Sequence, residues 1–339
     1  MKRRNVLGII AAASVGSAAL EPLARLLDGL DGKDLTSVGI AEVQAVEAAA
    51  DLYTRMDLAH GGSMAAAMAR GSLSWAIELL DRPMTPPVRE RLSSAIGLLA
   101  DRLGWAIYDA GDTAKASRVL TLALDNAARG TDRDLRAHVM LDLSTVVTDS
   151  GRPSEGVEIL RLALGDERIS SAERANLHAV AARHCAAAHD RPAGLRHVDL
   201  AEEALTRPQP ASSPDWARRI TVSPGHHDSA LGLALFALGE DTRARERLSS
   251  AMVRLDSGRT RTGLRCRTRL ATLHMRAGDL EHGEREARRA VQDATGVRSR
   301  RISGDLQMMV TSARAHGMNG LADELTHAIA QEATTSADA

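Results

Sequence analysis

Apolar and polar positions follow a helical period along most of the chain, and the helical stretches come in pairs. In "LGWAIYDAGDTAKASRVLTLAL", residues 103–124, an apolar stripe meets a Gly-Asp turn and a second stripe follows. Three similar units begin at Leu143, Leu231 and Leu270, and weaker copies cover 181–202 and 309–330. The pattern predicts a chain built from repeated helix pairs.

The turns between the paired helices recur at a regular interval. The turn residues are Gly111, Gly151, His189, Gly239, Gly278 and Gly317. Their spacings are 40, 38, 50, 39 and 39 residues, so one unit repeats about every 39 residues and one interval holds an insertion. Because a single pair cannot cover its own apolar face, the pairs are expected to stack into a solenoid with a concave and a convex surface.

Small residues at fixed places predict how each pair packs. Gly104 and Gly232 let the two helices approach closely, and the turn residue ends the first helix in a left-handed conformation. Ala116 and Ala244 then let the second helix pack back on the first.

Composition supports helices and excludes several classes of protein. Aromatic residues make up 2% of the chain and the formal net charge is -1, so no overall field attracts nucleic acid or an anionic membrane. Cys185 and Cys266 are interpreted as small buried hydrophobes. No stretch reaches the roughly 20 apolar residues that span a bilayer.

These residues resemble the tetratricopeptide repeat. In one unit the matching positions are Leu103, Gly104, Ile107, Gly111, Ala116, Leu120 and Ala123. In another they are Leu231, Gly232, Leu235, Gly239, Ala244, Leu248 and Ala251. The resemblance implies an all-α protein, a right-handed α-solenoid of tetratricopeptide-like helix pairs. The period exceeds the family's usual length, and the degenerate last copy is expected to cap the array.

A narrower resemblance covers most of the chain. "YTRMDLAHGGSMAAAMARGSLSWAIELL" (53–80) and "SPDWARRITVSPGHHDSALGLALFALGE" (213–240) are similar to the C-terminal repeat region of actinobacterial helix-turn-helix (XRE-type) transcriptional regulators. In those proteins a segment like "KRRNVLGIIAAAS" joins a DNA-binding domain to the repeats. The resemblance implies a regulator's repeat half, with any DNA-binding domain upstream of Met1.

The chain divides into regions by its prolines and polar breaks. We expect these regions to be an apolar helix and linker at 1–35, a helical cap at 36–87, about six helix pairs at 88–331 with a proline-containing loop inserted at 206–225, and a disordered tail at 332–339.

The concave face is where tetratricopeptide arrays usually bind partners. Carried onto this sequence, the groove is expected to contain Asp101, Trp105, Tyr108, Asp109, His138, Asn176, Arg183, His226, Phe236, Arg265, Met275, Arg276 and Arg314. Three of the chain's six aromatic residues fall there, which suggests anchors for a peptide or small ligand, with arginines to hold a carboxylate. The alternative is that these aromatic side chains only fill gaps between helices.

A second charged feature is the arginine-rich stretch from Leu255 to Arg301, with twelve arginines and six acids. Arg261, Arg265 and Arg269 share one helical face, so a surface for phosphate or an acidic partner is one interpretation. The favoured interpretation is a solvated face. Direct nucleic-acid binding is therefore not expected.

Catalytic and metal-binding patterns are absent from the sequence. The histidines lack the spacing that places two imidazoles over one ion, and no phosphate loop or nucleophile motif occurs. We expect no enzyme activity, cofactor or metal.

The opening "MKRRNVLGIIAAASVGSAAL" resembles a twin-arginine export signal, whereas the regulator resemblance makes it an internal helix. We favour a cytoplasmic regulatory protein that binds a peptide or protein, such as a DNA-binding regulator, in its groove. The alternatives are a transcriptional regulator that contacts DNA directly or through an upstream domain, and an exported binding protein.

Overall fold

The structure, a computed structural model, describes residues 37–60, 62–208, 213–295, 297 and 299–337, and this part of the chain is helical throughout without a strand. The helices are α1 (Ile40–His60), α2 (Gly62–Glu78), α3 (Pro86–Asp109), α4 (Thr113–Arg129), α5 (Arg133–Asp149), α6 (Pro153–Leu164), α7 (Ser171–Ala187), α8 (Arg191–Thr206), α9 (Asp215–Arg219), α10 (His226–Ala237), α11 (Asp241–Arg254), α12 (Thr260–Arg276), α13 (Leu280–Ala294), α14 (Arg300–Ala315) and α15 (Asn319–Ala337). A single 3₁₀ turn, Leu79–Asp81, follows α2.

Residues with short polar side chains begin many of these helices. Asp112, Asp132, Ser170 and Asp190 each accept a hydrogen bond from a backbone N–H in the first turn of the helix that follows. Because the first N–H groups of a helix have no internal partner, such caps fix where each of these helices starts.

The six predicted turn positions all adopt the left-handed conformation. The five glycines have φ between 76° and 102°, and His189 has a φ of 60°. At the first turn the Gly111 N–H donates to the Tyr108 carbonyl at 2.9 Å, and the Asp112 N–H donates to the Ile107 carbonyl at 3.2 Å. The repeat pattern therefore predicted correctly the turn between the two helices of each pair.

Close packing within a pair depends on the predicted small residues. A Cβ atom placed on Gly104 would lie 2.7 Å from Cγ of Leu120, and one on Gly232 would lie 2.7 Å from Cγ of Leu248. Both leucines are fully buried. The absence of a side chain at these glycines sets the distance between the two helices.

Six pairs stack in chain order: α3 with α4, α5 with α6, α7 with α8, α10 with α11, α12 with α13, and α14 with α15. The fold is therefore an α-solenoid of tetratricopeptide-like helix pairs. Helices α1 and α2 pack on α3 before the first pair, and α12 of the fifth pair packs against α1. The superhelix thus returns to its own beginning and encloses its concave side.

The predicted loop insertion folds onto this concave side. Its short helix α9 carries Trp216, whose side chain is buried and whose indole N–H donates to Asp132 at 2.8 Å. The Trp216 ring lies 5.2 Å from the His138 ring, and Thr221 donates to Glu173 at 2.9 Å. These contacts attach the insertion to the inner faces of α5 and α7.

The two ends of the chain can be compared with the N-terminal helix and the disordered tail that the sequence predicts. The predicted N-terminal helix and export-like stretch lie outside the described residues. Helix α15 continues to Ala337, into the predicted disordered tail, because 332–337 contains no glycine or proline to end it. In the part of the chain that the structure describes, no helix combines the length and the apolar character needed to cross a bilayer.

Replacing Gly104 with alanine should lower the free energy of unfolding by about 1–3 kcal/mol, since the added methyl group overpacks against Leu120. Gly304→Ala is the matched control, because Gly304 is also inside a helix but nothing lies within 4 Å of its added Cβ. The control should be neutral or should stabilise the protein by up to about 1 kcal/mol. Urea denaturation measures both variants, and equal effects would contradict the close packing.

Candidate binding cavity

The concave side of the superhelix holds a partly open cavity of about 400 Å³. Its walls come from the first helix of all six pairs, from α1 and from the insertion, which contributes Ile220. Ligand sites in proteins commonly have volumes of about 300–1,000 Å³. The cavity is therefore large enough for a small molecule or a short peptide segment.

A buried carboxylate, Asp109 at the end of α3, joins the two ends of the array. It accepts hydrogen bonds from Ser299 and Arg301 at 2.7 Å each, and from Arg261 at 3.0 Å. Arg261 also donates to both oxygens of Asp57 on α1, at 2.6 and 2.5 Å. This network, called the clasp below, connects α1, α3, α12 and the start of α14.

The electrostatics of the clasp favour the ionised carboxylate. Burial alone would raise the pKa of Asp109, but the charges of Arg301 and Arg261 outweigh burial and lower the pKa below its ordinary value. The bonds that close the superhelix are therefore charge-assisted at neutral pH.

An aromatic wall lies next to the clasp. The guanidinium of Arg301 stacks 4.4 Å from the centroid of the Trp105 ring and 5.5 Å from that of Tyr108. The Tyr108 hydroxyl donates to Asp149. Burial and the charge of Asp149 raise the pKa of Tyr108, so its hydroxyl remains a donor. The wall thus combines apolar ring faces with polar atoms at the cavity.

The middle of the cavity is lined by a buried ionic cluster. Arg102 donates to Asp101 and, at 3.1 Å, to Asp142, while Nδ1 of His138 lies 3.1 Å from Oε1 of Glu173. Burial, reinforced by Asp101, raises the pKa of Asp142 to about 7. Burial would lower the pKa of His138, but Glu173 overrides it and raises the value to about 9.

Three members of this cluster, Asp101, His138 and Asp142, have potential metal-ligand atoms within 4.8 Å of one another. The guanidinium of Arg102 already lies against both carboxylates, and the Nδ1 atom of His138 is directed to Glu173. The protein's own cations thus balance the acids of this cluster, and we assign the cluster to the packing of the inner helices.

The arginines of α12 are not the solvated face that the sequence favoured. Arg261 and Arg269 are buried, and Arg265 is mostly buried. Arg265 and Arg269 both bind Asp305, at 2.9 and 2.8 Å. Burial would raise the pKa of Asp305, but the two guanidinium groups lower it strongly. For these three arginines the interpretation was wrong, because α14 of the next pair supplies Asp305 to Arg265 and Arg269, and closure of the solenoid brings Asp57 and Asp109 to Arg261.

The structure brings together seven of the predicted groove residues at the cavity. They are Trp105, Tyr108, His138, Asn176, Arg183, His226 and Arg265. Asp101 and Asp109 are fully buried behind its wall, where they bind arginines.

The other four predicted residues lie away from this cavity. Met275 is fully buried in the core between the last repeats, so a ligand cannot reach it. Arg276 stacks 4.8 Å from the Phe236 ring and bonds to Asp241 on the surface. Arg314 is exposed and pairs with Asp323. These four residues lie near the C-terminal ends of α10, α12 and α14, whereas the cavity reaches only the earlier turns of these helices.

Sequence reasoning missed several cavity residues. Asp57 was assigned to a cap, and Ile220 to a loop, so neither was placed on the concave face. Arg259 and Arg301 lie just outside the repeat motif, and the dense run of arginines was the only signal for them. Cys185 and Cys266 are buried, as predicted.

The class of protein defined by the fold is a tetratricopeptide-like helical repeat protein with an enclosed concave face. No protein-family model and no curated protein matches the chain. The fold is similar to BtubC (BKLC) from P. vanneervenii, with 20% identity and a TM-score of 0.45, over 67% of this chain and 89% of that one. It is also similar to a Rap protein complexed with competence and sporulation factor, with 12% identity and a TM-score of 0.46, over 87% of this chain and 94% of that one. Likenesses at this level carry no information about a ligand.

Stability should fall as the pH rises from 7.5 to 10 because of His138. The folded pKa of about 9 lies above the ordinary value of 6.5, so the stabilisation is complete below 6.5 and is lost as the pH passes 9. We expect a loss of roughly 2–3 kcal/mol in the free energy of unfolding. Glu173, Asp142 and Arg102 face the imidazole. Asp142, with a pKa of about 7, titrates mostly below this range.

Urea denaturation at several pH values measures this loss. In His138→Gln the pH dependence over this range should be much smaller, since glutamine keeps a hydrogen bond to Glu173 and does not titrate. His282→Gln is the control, because His282 is exposed, and it should follow the wild type. If the free energy of unfolding changed with pH in the same way in the wild type and in His138→Gln, the loss would not be due to His138.

Proposed function

We propose that the protein is a non-enzymatic regulatory repeat protein that binds a short peptide, or the exposed end of a protein, in its internal cavity. The observation that carries the proposal is the cavity itself, whose wall combines the Trp105 and Tyr108 rings with six arginines. Concave sites with aromatic walls and a few fixed polar groups are typical of ligand recognition.

The position of the cavity supports a regulatory role. The clasp residues Asp57, Arg261 and Arg301 line the cavity directly. A ligand that contacts them would change the free energy of the closed superhelix relative to more open forms. Binding would thereby alter the curvature of the array and the affinity of another surface for its partner.

The proposed pathway rests on the resemblance of the sequence to a family of regulators. Similarity to the repeat region of XRE-type regulators supports a cytoplasmic role in transcription or signalling, with a DNA-binding regulator as one partner. The enclosure of Arg261, Arg265 and Arg269 argues against direct DNA binding by these residues, since their charges are bound to internal aspartates.

The test is retention of low-molecular-weight compounds from an extract of the native cells. The purified protein is incubated with the extract's peptide and small-molecule fraction, washed by ultrafiltration and denatured, and the released compounds are identified by mass spectrometry. Ala230→Phe fills the cavity, which Ala230 lines. Val253→Phe is the matched control, because Val253 is 86% exposed.

We expect a compound that the wild type and Val253→Phe retain and that Ala230→Phe loses by at least about tenfold, a ratio equal to 1.4 kcal/mol. Circular dichroism and thermal melting verify that Ala230→Phe is folded. If the wild type retains nothing above the background of an unrelated protein, or if folded Ala230→Phe retains the same compounds, the proposal is wrong.

A further inference from the structure

Two of the six arginines that line the cavity have no carboxylate partner among the described residues. Arg259 is 4% exposed, its Nη1 donates only to the Ser223 hydroxyl, and its Nε has no partner. Arg183 on α7 makes no hydrogen bond or ion pair with the described part of the chain. The other four arginines bind aspartates. Arg259 is buried, whereas Arg183 is only half-buried and lines the cavity. Because a buried charge without a counter-ion is costly, Arg259 points to an anion supplied from outside, and Arg183 offers a second unpaired guanidinium group in the same cavity.

The charge of each group is compensated only in part. Burial lowers the pKa of Arg183 to about 10, and the neighbouring charge of Arg265 acts in the same direction, while Asp149 opposes it. Burial also lowers the pKa of Arg259, against the charge of Asp256. Burial together with nearby cations, Arg259 among them, keeps His226 neutral. The carboxylate of Asp149 acts on the pKa of Arg183, but it forms no ion pair with Arg183 and accepts a hydrogen bond from the Tyr108 hydroxyl instead.

The two groups lie at different levels along α7. Arg259 lies next to Ser223 and His226, and His226 Nε2 is 3.0 Å from the amide oxygen of Asn176 on α7. Arg183 lies seven residues after Asn176 on the same helix. At a rise of about 1.5 Å per residue, the Cα atoms of Asn176 and Arg183 are separated by roughly 10 Å along the helix, and we take this separation as the spacing of the two guanidinium groups.

We propose that the ligand of this cavity is a peptide with two carboxylates about 10 Å apart, one held by Arg183 and the other by Arg259. The proposal rests on the proposed function and specifies its ligand class. A guanidinium group binds a carboxylate through parallel hydrogen bonds, and an extended peptide covers about 10 Å in three residues. An acidic side chain three residues before a free C-terminus fits this spacing.

The probes are three N-acetylated tetrapeptides measured by isothermal titration calorimetry. Asp-Ala-Ala-Ala with a free C-terminus carries both carboxylates. The same peptide with a C-terminal amide carries one, and Asn-Ala-Ala-Ala with a free C-terminus carries the other. We expect the first peptide to bind the wild type at least about tenfold more tightly than either single-carboxylate peptide. Inorganic phosphate is the fourth probe.

The variants are Arg183→Gln and Arg259→Gln, with Arg243→Gln as the matched control. Arg243 lies on the outer helix α11 and pairs with Glu202 away from the cavity. Each cavity variant should lose the tenfold advantage of the two-carboxylate peptide over one of the single-carboxylate peptides, and the two variants should lose it over different ones. Arg243→Gln should bind all four probes as the wild type does.

A second readout separates a ligand-binding role from a structural one. Because Arg183 has no counter-ion in the free protein, Arg183→Gln should melt at the same or a higher temperature. A clear fall in melting temperature would show that Arg183 is already satisfied within the fold and would overturn its role.

Equal affinities for the three peptides would also overturn the proposal. So would binding of phosphate without binding of any of the peptides. If the compound retained from the cell extract is bound equally by wild type and both arginine variants, the two-carboxylate ligand is wrong and the proposed function stands. If no compound is retained in the cavity, the proposed function itself fails.

Discussion

The structure depends on one buried carboxylate. Asp109 sits at the end of the first repeat's inner helix and binds Arg261, Ser299 and Arg301, which are 152 to 192 residues away in sequence. Stacking of helix pairs by itself produces an open array, in which each pair contacts only its neighbours. The long-range ion pairs add a contact between the ends, and the concave face becomes an enclosed cavity. Removing one partner of a buried pair of this kind typically costs about 3–5 kcal/mol, because the other charge is then left buried without compensation.

Closure also explains how the protein tolerates many buried charges. In an open solenoid Arg261 would face water, and closure brings Asp57 of α1 and Asp109 of α3 to it. Arg265 and Arg269 meet Asp305 of α14 in the neighbouring pair. Arg183 and Arg259 are the exceptions, and the stability lost through their incomplete pairing is consistent with a site that is completed by a ligand.

Local features of the fold could be predicted from the sequence because they depend on local chemistry. The turn at Gly111 requires a left-handed residue, and close helix packing requires Gly104, so both could be identified from the repeat pattern. The stripe of inner residues was identified for the same reason in the earlier repeats, where Trp105, Tyr108, His138 and Arg183 line the cavity.

Closure of the array could not be predicted, because it depends on the curvature summed over all repeats. No local pattern indicates that Asp57 lies opposite Arg261, 204 residues later. The stripe was therefore extended to Met275 and Arg314, which face the core of the last repeats and the solvent. The prolines of the insertion indicated a loop, and the burial of Trp216 and Ile220 could not be predicted from them because it depends on tertiary contacts.

The central claim is that the clasp closes the superhelix, and small-angle X-ray scattering tests it most directly. A compact chain of 339 residues has a radius of gyration of about 20 Å, and an open array is larger. We predict a compact wild type and a measurable increase in the radius of gyration for Asp109→Asn, with helicity by circular dichroism unchanged. Asp323→Asn, at an exposed ion pair, is the control. An extended wild type, or a folded Asp109→Asn variant with the same scattering profile as the wild type, would contradict the account.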